Sequence, residues 1–186
     1  MKSVRYADDI VVLTSSADQA QKALQEISRW MGEAGLELHP EKTCIVDMSK
    51  AGAHFDFLGY RFHRSQRGNL CRLVRPKSEK KLRDQIRLRT KRSHTKNMGM
   101  TVTEVNEVLR GWYGYFKQAN LAAHRRMDQW VRMRLRSMLR KRNKRRGRGR
   151  GLDHYRWPNR YFEKLGLLSL EQAKVTEMSL QKQAKC

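Results

Sequence analysis

A chain of 186 residues with 41 Lys/Arg against 18 Asp/Glu carries a formal charge of +23, and 39% of it is hydrophobic. That length holds one large domain or two small ones, with at least one solvated basic segment. No apolar run is long enough to span a bilayer and no signal peptide is visible, while Cys44, Cys71 and Cys186 are too few and too scattered for a disulfide framework or a zinc ribbon.

The charge is uneven. Residues 1–63 hold seven Lys/Arg and nine Asp/Glu, net −2, whereas residues 64–186 hold thirty-four and nine, net +25. Such asymmetry calls for a polyanionic partner of the basic part. Nucleic acid is the commonest, with an anionic membrane surface and a ribosome-like assembly as rivals. The histidines are scattered and form no pair at metal-ligand spacing. A cytoplasmic, nucleic-acid-associated protein with reduced thiols and no membrane partner is the expectation.

In chain order, "VRY" and "IVVLT" read as two short strands joined by "ADD", a tight hairpin rich in β-branched residues. Ser16 and Gln19 have capping-box spacing, and Ala20, Leu24, Ile27, Trp30/Met31 and Ala34 form the apolar stripe of a helix that Gly35 ends. "TCIVDM" (Thr43 to Met48) and "FDFLGYRFH" (Phe55 to His63) read as two more strands. The latter puts Phe55, Phe57 and Gly59 on one face and Asp56, Leu58, Tyr60 and Phe62 on the other. Residues 1–63 therefore read β-β-α-β-β, a sheet too small to be complete alone.

Beyond "RLVRPKS" the period becomes helical. Leu82, Ile86 and Leu88 mark one helix, and "TKRSHTKNMG" is a basic linker. Thr101 and Glu104 form a capping box before the stripe Val105, Leu109, Trp112, Phe116. A third helix carries Met127, Trp130/Val131, Leu135 and Met138/Leu139. Periodicity is lost in "RKRNKRRGRGRG". Ser169 and Gln172 suggest a cap for a last helix. The class is α+β, with an all-α part from residue 76. The expected divisions are 1–75, a helical domain 76–146, a basic Gly/Arg linker 147–156 and a helical segment 157–186.

Asp8 and Asp9 stand out. Adjacent aspartates at a turn are often turn residues for backbone reasons alone. Here, between residues 6 and 28, Lys22 is the single cation. Two carboxylates this close favour a shared divalent counter-ion, and Mg²⁺ takes carboxylate plus phosphate oxygen, the ligands of nucleotidyl transfer.

In the basic half, residues 125–150 hold thirteen Lys/Arg and one acid, Asp128. Arg125, Arg132 and Arg136 fall opposite the Met/Trp/Leu stripe, and Arg140, Arg142 and Arg145 continue the run. A solvated face is the usual fate of charge runs, but an excess this one-sided favours RNA phosphate, with Arg suited to bidentate contact. Trp112, Tyr113, Tyr115 and Phe116 read first as packing residues. Tyr113 and Tyr115, off the stripe, are the candidates for RNA contact. The Gly-Arg run 147–151 is expected to stay unordered until RNA orders it.

"YADD", then "GLELHPEKT", then "FLGYRF" resemble the end of a reverse-transcriptase palm. "VNEVLRGWYGYFKQAN", "DQWVRMRLR" and "RYFEKLGLLSLEQA" resemble the maturase-specific region of proteins encoded by group II introns. The resemblance covers nearly the whole chain. It implies an RNA-directed DNA polymerase family that also binds intron RNA to assist splicing and retrohoming. It implies catalytic Mg²⁺ held in a two-metal scheme, with Asp8 as the main ligand and Asp9 beside it. It further implies Tyr6 at the primer end and Lys42, in "HPEKT", on phosphate or steadying the metal site; as a bare residue Lys42 reads equally as a solvated turn lysine. Leu58, Gly59 and Tyr60 would lie on the primer backbone. The helical part would be a thumb that clamps template-primer and binds structured intron RNA, with Arg110 as a phosphate contact.

Such enzymes also use an earlier palm strand bearing another aspartate, and a fingers region, for which there is no room before residue 6. The expectation is that this chain alone does not polymerise DNA and that primer extension needs the missing N-terminal half. An RNA-binding splicing cofactor without polymerase activity is the alternative reading, and a generic basic RNA-binding protein is the third.

Overall fold

The computed structural model describes residues 1–184 and divides into two compact units, with the division after Cys71. In the first unit, β1 (Lys2–Tyr6) and β2 (Asp9–Leu13) form an antiparallel pair in the register Tyr6↔Asp9. Helix α1 (Ala17–Glu33) follows. The Ser16 hydroxyl accepts the Gln19 N–H at 3.2 Å, and the Gln19 side chain reaches back to Ser15. At its far end, Leu36 N–H donates to Met31 O at 2.8 Å and Gly35 N–H to Gly32 O at 3.0 Å, with Gly35 at φ 69°. These paired bonds satisfy the last carbonyls, and the left-handed residue between them has no Cβ to clash.

The rest of this sheet region departs from the sequence reading. Residues 43–47 carry no regular structure, and Ile45 is exposed. Strand propensity expresses packing against neighbours and pairing to a partner, and among the described residues β1 and β2 pair only with each other. The segment read as one strand, Phe55 to His63, is a hairpin of β3 (His54–Phe57) and β4 (Tyr60–Arg64). Leu58 (φ 49°) and Gly59 (φ 77°) both lie in the left-handed region, as a two-residue hairpin turn requires. Phe55 therefore pairs with Phe62 on one face, their rings stacked 5.0 Å apart, and Asp56 pairs with Arg61 on the other. A third strand, β5 (Leu70–Val74), completes the sheet in the order β3-β4-β5. Within residues 1–71 Ala23 is the one buried residue. Ile10, Val12, Ala23, Ile27 and Trp30 line a shallow groove of about 280 Å³ between α1 and the β1–β2 pair.

The second unit is helical and has a continuous core. Its elements are α2 (Pro76–Arg89), α3 (Met98–Phe116), α4 (Leu121–Arg142), the short α5 (Asp153–Arg156) and α6 (Asn159–Lys164), and α7 (Leu170–Gln183). Ile86, Val105, Leu109, Met127, Leu135, Met138, Phe162 and Leu170 are sealed from solvent; each apolar side chain so buried contributes roughly 1.5–3 kcal/mol. Leu88, read as part of the stripe, is exposed. The cap of α3 lies four residues before the expected Thr101. The Asn97 side chain accepts the Gly99 N–H at 2.6 Å, and Glu104 turns to Lys96 instead. The cap of α7 is where its sequence places it, with the Ser169 hydroxyl accepting the Gln172 N–H at 3.2 Å.

Candidate carboxylate hairpin and nucleic-acid interface

Asp8 and Asp9 occupy a hairpin tip held by its own backbone. Ala7 sits at φ 49°, a left-handed conformation that costs a non-glycine residue about 1 kcal/mol or more. The Arg5 guanidinium donates to the Ala7 carbonyl at 3.0 Å and braces the turn. Asp9 opens β2 opposite Tyr6, and Asp8 lies in the turn itself; both carboxylates are exposed, as is the Tyr6 ring. Among the described residues no group of three or more His, Cys, Asp or Glu comes together. The pair therefore supplies oxygen donors of the right type but only part of a two-ion coordination sphere. Lys42 is exposed in a turn closed by its own N–H on the His39 carbonyl, and among the described residues it makes no ion pair with either aspartate. Leu58 and Gly59 form the second hairpin tip, and Tyr60 is the first residue of β4. The fork of Arg61 on Asp56, at 2.8 and 3.0 Å, stiffens that hairpin.

The helical unit sorts its arginines in a way the helical wheel does not. Arg136, read as part of the outward face, is buried. Its guanidinium donates to the Trp157 carbonyl at 2.9 Å and to Asn159 Oδ1 at 2.7 Å, and lies over the Phe162 ring. Burial holds its pKa below the ordinary arginine value. Arg136 is thus a core strut and leaves the RNA-facing set. Arg140 is partly committed too, donating to Asp153 at 2.7 Å and to the Arg146 carbonyl at 2.6 Å. Burial would raise the Asp153 carboxyl, but Arg140 and the Arg150 N–H outweigh it and hold it below the usual range. Arg125 pairs with Glu171 at 2.7 Å, and Arg142 donates to the Lys96 carbonyl, yet both remain exposed. Arg132 is half-buried, and Arg110 and Arg145 are exposed. Tyr113 donates to Glu177 at 3.0 Å, whereas Tyr115 is exposed with its ring against Phe116. Trp130, read as core, carries the guanidinium groups of Arg83 and Arg87 at 5.8 and 5.6 Å from its ring centre.

The Gly-Arg run is folded, contrary to the sequence expectation. Gly149 is buried and its N–H donates to the Ser137 hydroxyl at 3.0 Å. A Cβ there would sit 2.4 Å from the Arg136 Cβ and 3.1 Å from its carbonyl carbon. The loop is thus pinned to α4 by a glycine that admits no side chain. Arg92 reaches across to the Gly147 carbonyl at 3.3 Å, so the linker after α2 meets this loop.

Sequence reading also passed over Asp128. It is buried, and it accepts from the Ser169 hydroxyl and from the N–H groups of Leu170 and Glu171 at 2.8, 3.0 and 3.1 Å. The lone acid of a basic helix is therefore the anion that caps α7, where unsatisfied N–H groups and the helix dipole favour negative charge. Its isolation among thirteen cations was the signal available.

A rigid aspartate hairpin on a small antiparallel sheet and a cationic helical unit define a protein of the polynucleotide-handling class. Residues 1–62 match the reverse transcriptase (RNA-dependent DNA polymerase) family, and residues 79–157 match the group II intron maturase-specific domain. No curated protein matches the chain. Together the two matches support a group II intron reverse transcriptase/maturase fragment, the end of a palm followed by the maturase domain. That family implies a divalent metal, RNA and template-primer. Among the described residues no helix is long and apolar enough to cross a membrane.

Proposed function

We propose that the chain acts in splicing as an RNA-binding maturase module whose helical unit grips structured intron RNA by its phosphates. One observation carries this reading. Of the nine acids beyond residue 63, seven are engaged inside the unit: Glu79, Asp84, Glu104, Asp128, Asp153, Glu171 and Glu177. The excess of cations, most of them exposed, is left facing outward, which is the electrostatic footprint of a nucleic-acid surface. Arg110, Arg125, Arg132, Arg142, Arg145, Tyr113 and Tyr115 remain in the proposed contact set.

On this reading Asp8 and Asp9 are the family's Mg²⁺ carboxylates, with Tyr6 beside them and Leu58, Gly59 and Tyr60 along the primer. The residues present do not complete a two-ion centre, so no chemical step is assigned to them. Primer extension requires a further carboxylate and a template surface from an upstream part of the enzyme. The uncovered apolar groove beside α1 supports that requirement.

The test is binding of the purified chain to a folded RNA and to an inert polyanion of equal charge across a salt series. Preference for RNA with a steep fall in log K against log salt is expected. Equal binding of both polymers overturns the reading. The Asp8→Asn/Asp9→Asn double variant should leave RNA affinity unchanged, and a parallel loss would show that the hairpin is part of the RNA surface.

A further inference from the structure

Two basic stretches far apart in sequence meet in space. Residues 91–97 carry three cations and residues 141–150 carry seven, with no acid in either. Arg92 on the Gly147 carbonyl and Arg142 on the Lys96 carbonyl tie them together. At the edge of this lobe the α5 turn is held by Asp153, which accepts from the Arg140 guanidinium and the Arg150 N–H. That turn leaves Leu152 76% and Tyr155 86% exposed. A tyrosine this bare contributes nothing to the core.

The end of α4 adds an independent sign. Arg145 N–H donates to the Arg140 carbonyl at 3.0 Å and Lys144 N–H to the Lys141 carbonyl at 2.9 Å, so Lys144 sits where a glycine usually ends a helix. Its φ is 57°, a conformation that a lysine adopts at a cost and a glycine does not. Strain kept at a position where the cheaper residue would lose a charge points to function.

We infer that this lobe is a preformed RNA site in which the cations of the joined segments hold phosphates and Tyr155 stacks on an unpaired base at the edge. The inference rests on the RNA-binding reading above and locates it. A folded loop presents its charges without paying an ordering cost at binding, and an exposed aromatic beside arginines takes any base that is free of its helix. The lobe thus discriminates a loop or bulge from continuous duplex by Tyr155, while its cations serve both.

The experiment compares a stem–loop RNA with a fully paired duplex of equal length, using the full chain. Tyr155→Ala should weaken stem–loop binding by about tenfold, the usual scale of one base stack. It should leave duplex binding unchanged, and Tyr155→Phe should retain stem–loop affinity. Replacing Arg145, Arg146, Arg148 and Arg150 by Gln should lower the salt slope by about 3 on both RNAs. Removing equal charge at Lys77, Lys80, Lys81 and Lys117 should lower it much less. Lys144→Gly should raise the urea midpoint while weakening both RNAs. If both quadruple variants lose slope equally, or Tyr155→Ala leaves stem–loop affinity intact, the lobe assignment is overturned while RNA binding stands. If the unaltered chain binds neither RNA better than an inert polyanion, the parent reading fails as well.

Discussion

Gly149→Ala isolates the folding of the Gly-Arg loop from its charge. The new methyl would lie 2.4 Å from the Arg136 Cβ, 3.1 Å from the Arg136 carbonyl carbon and 3.2 Å from the Ser137 nitrogen. Two of these atoms are helix backbone, and Arg136 is itself anchored to Trp157 and Asn159. The neighbours cannot yield, so the loop must lift. Overpacking of this kind costs about 1–3 kcal/mol. Loss of the Gly149 bond to the Ser137 hydroxyl adds about 1 kcal/mol. The ceiling is therefore about 4 kcal/mol, and detachment of the loop limits the cost to less. Urea unfolding of the variant should show a loss of about 2–4 kcal/mol with its helical circular dichroism retained, and RNA affinity should fall although no charge has changed. A variant with unaltered midpoint and unaltered RNA affinity would refute the packing of the loop on α4 and the preformed lobe together.

Asp128→Ala removes the acceptor of three hydrogen bonds at the start of α7 and strands the buried Leu170 N–H and the part-buried Glu171 N–H. A loss of about 3 kcal/mol is expected, with Asp128→Asn falling between, both read by urea unfolding. His124 gives a pH signature. It is fully buried, and burial is the main cause holding its pKa below the ordinary value; nearby Lys174 adds to this, while its Nδ1–H donated to the Asn120 carbonyl and Asp128 oppose it. The unfolded chain takes up the proton first, so stability from neutral His124 is full above the unfolded value near 6.5 and is lost as pH falls through the lower folded value. His124→Gln should flatten the acid limb of the stability profile; an unchanged limb would assign it to other groups.

The hairpin that carries the paired aspartates was legible because its setting is local: β-branched runs either side of a short turn leave few conformations, and its partners lie within eleven residues of each other. The caps Ser16 and Ser169 were legible for the same reason. The strand Thr43 to Met48 was misread because a strand exists only through its neighbour. The hairpin within Phe55 to His63 was hidden by Leu58, a residue that rarely takes the left-handed conformation its turn demands.

The helical stripes, the two-part distribution of charge and the carboxylate hairpin are properties of the sequence by itself, since each depends on residues a few positions apart. Which arginines are struts and which are free was decided only in three dimensions. A helical wheel assumes one buried face, but α4 packs against α5 and α7 and is bridged to the α2 region by the side chains of Arg126 and Arg134, so more than one of its faces is occupied. Arg136, Asp128 and Gly149 take their roles from partners 21, 42 and 12 residues distant, and no local pattern encodes a contact across that separation.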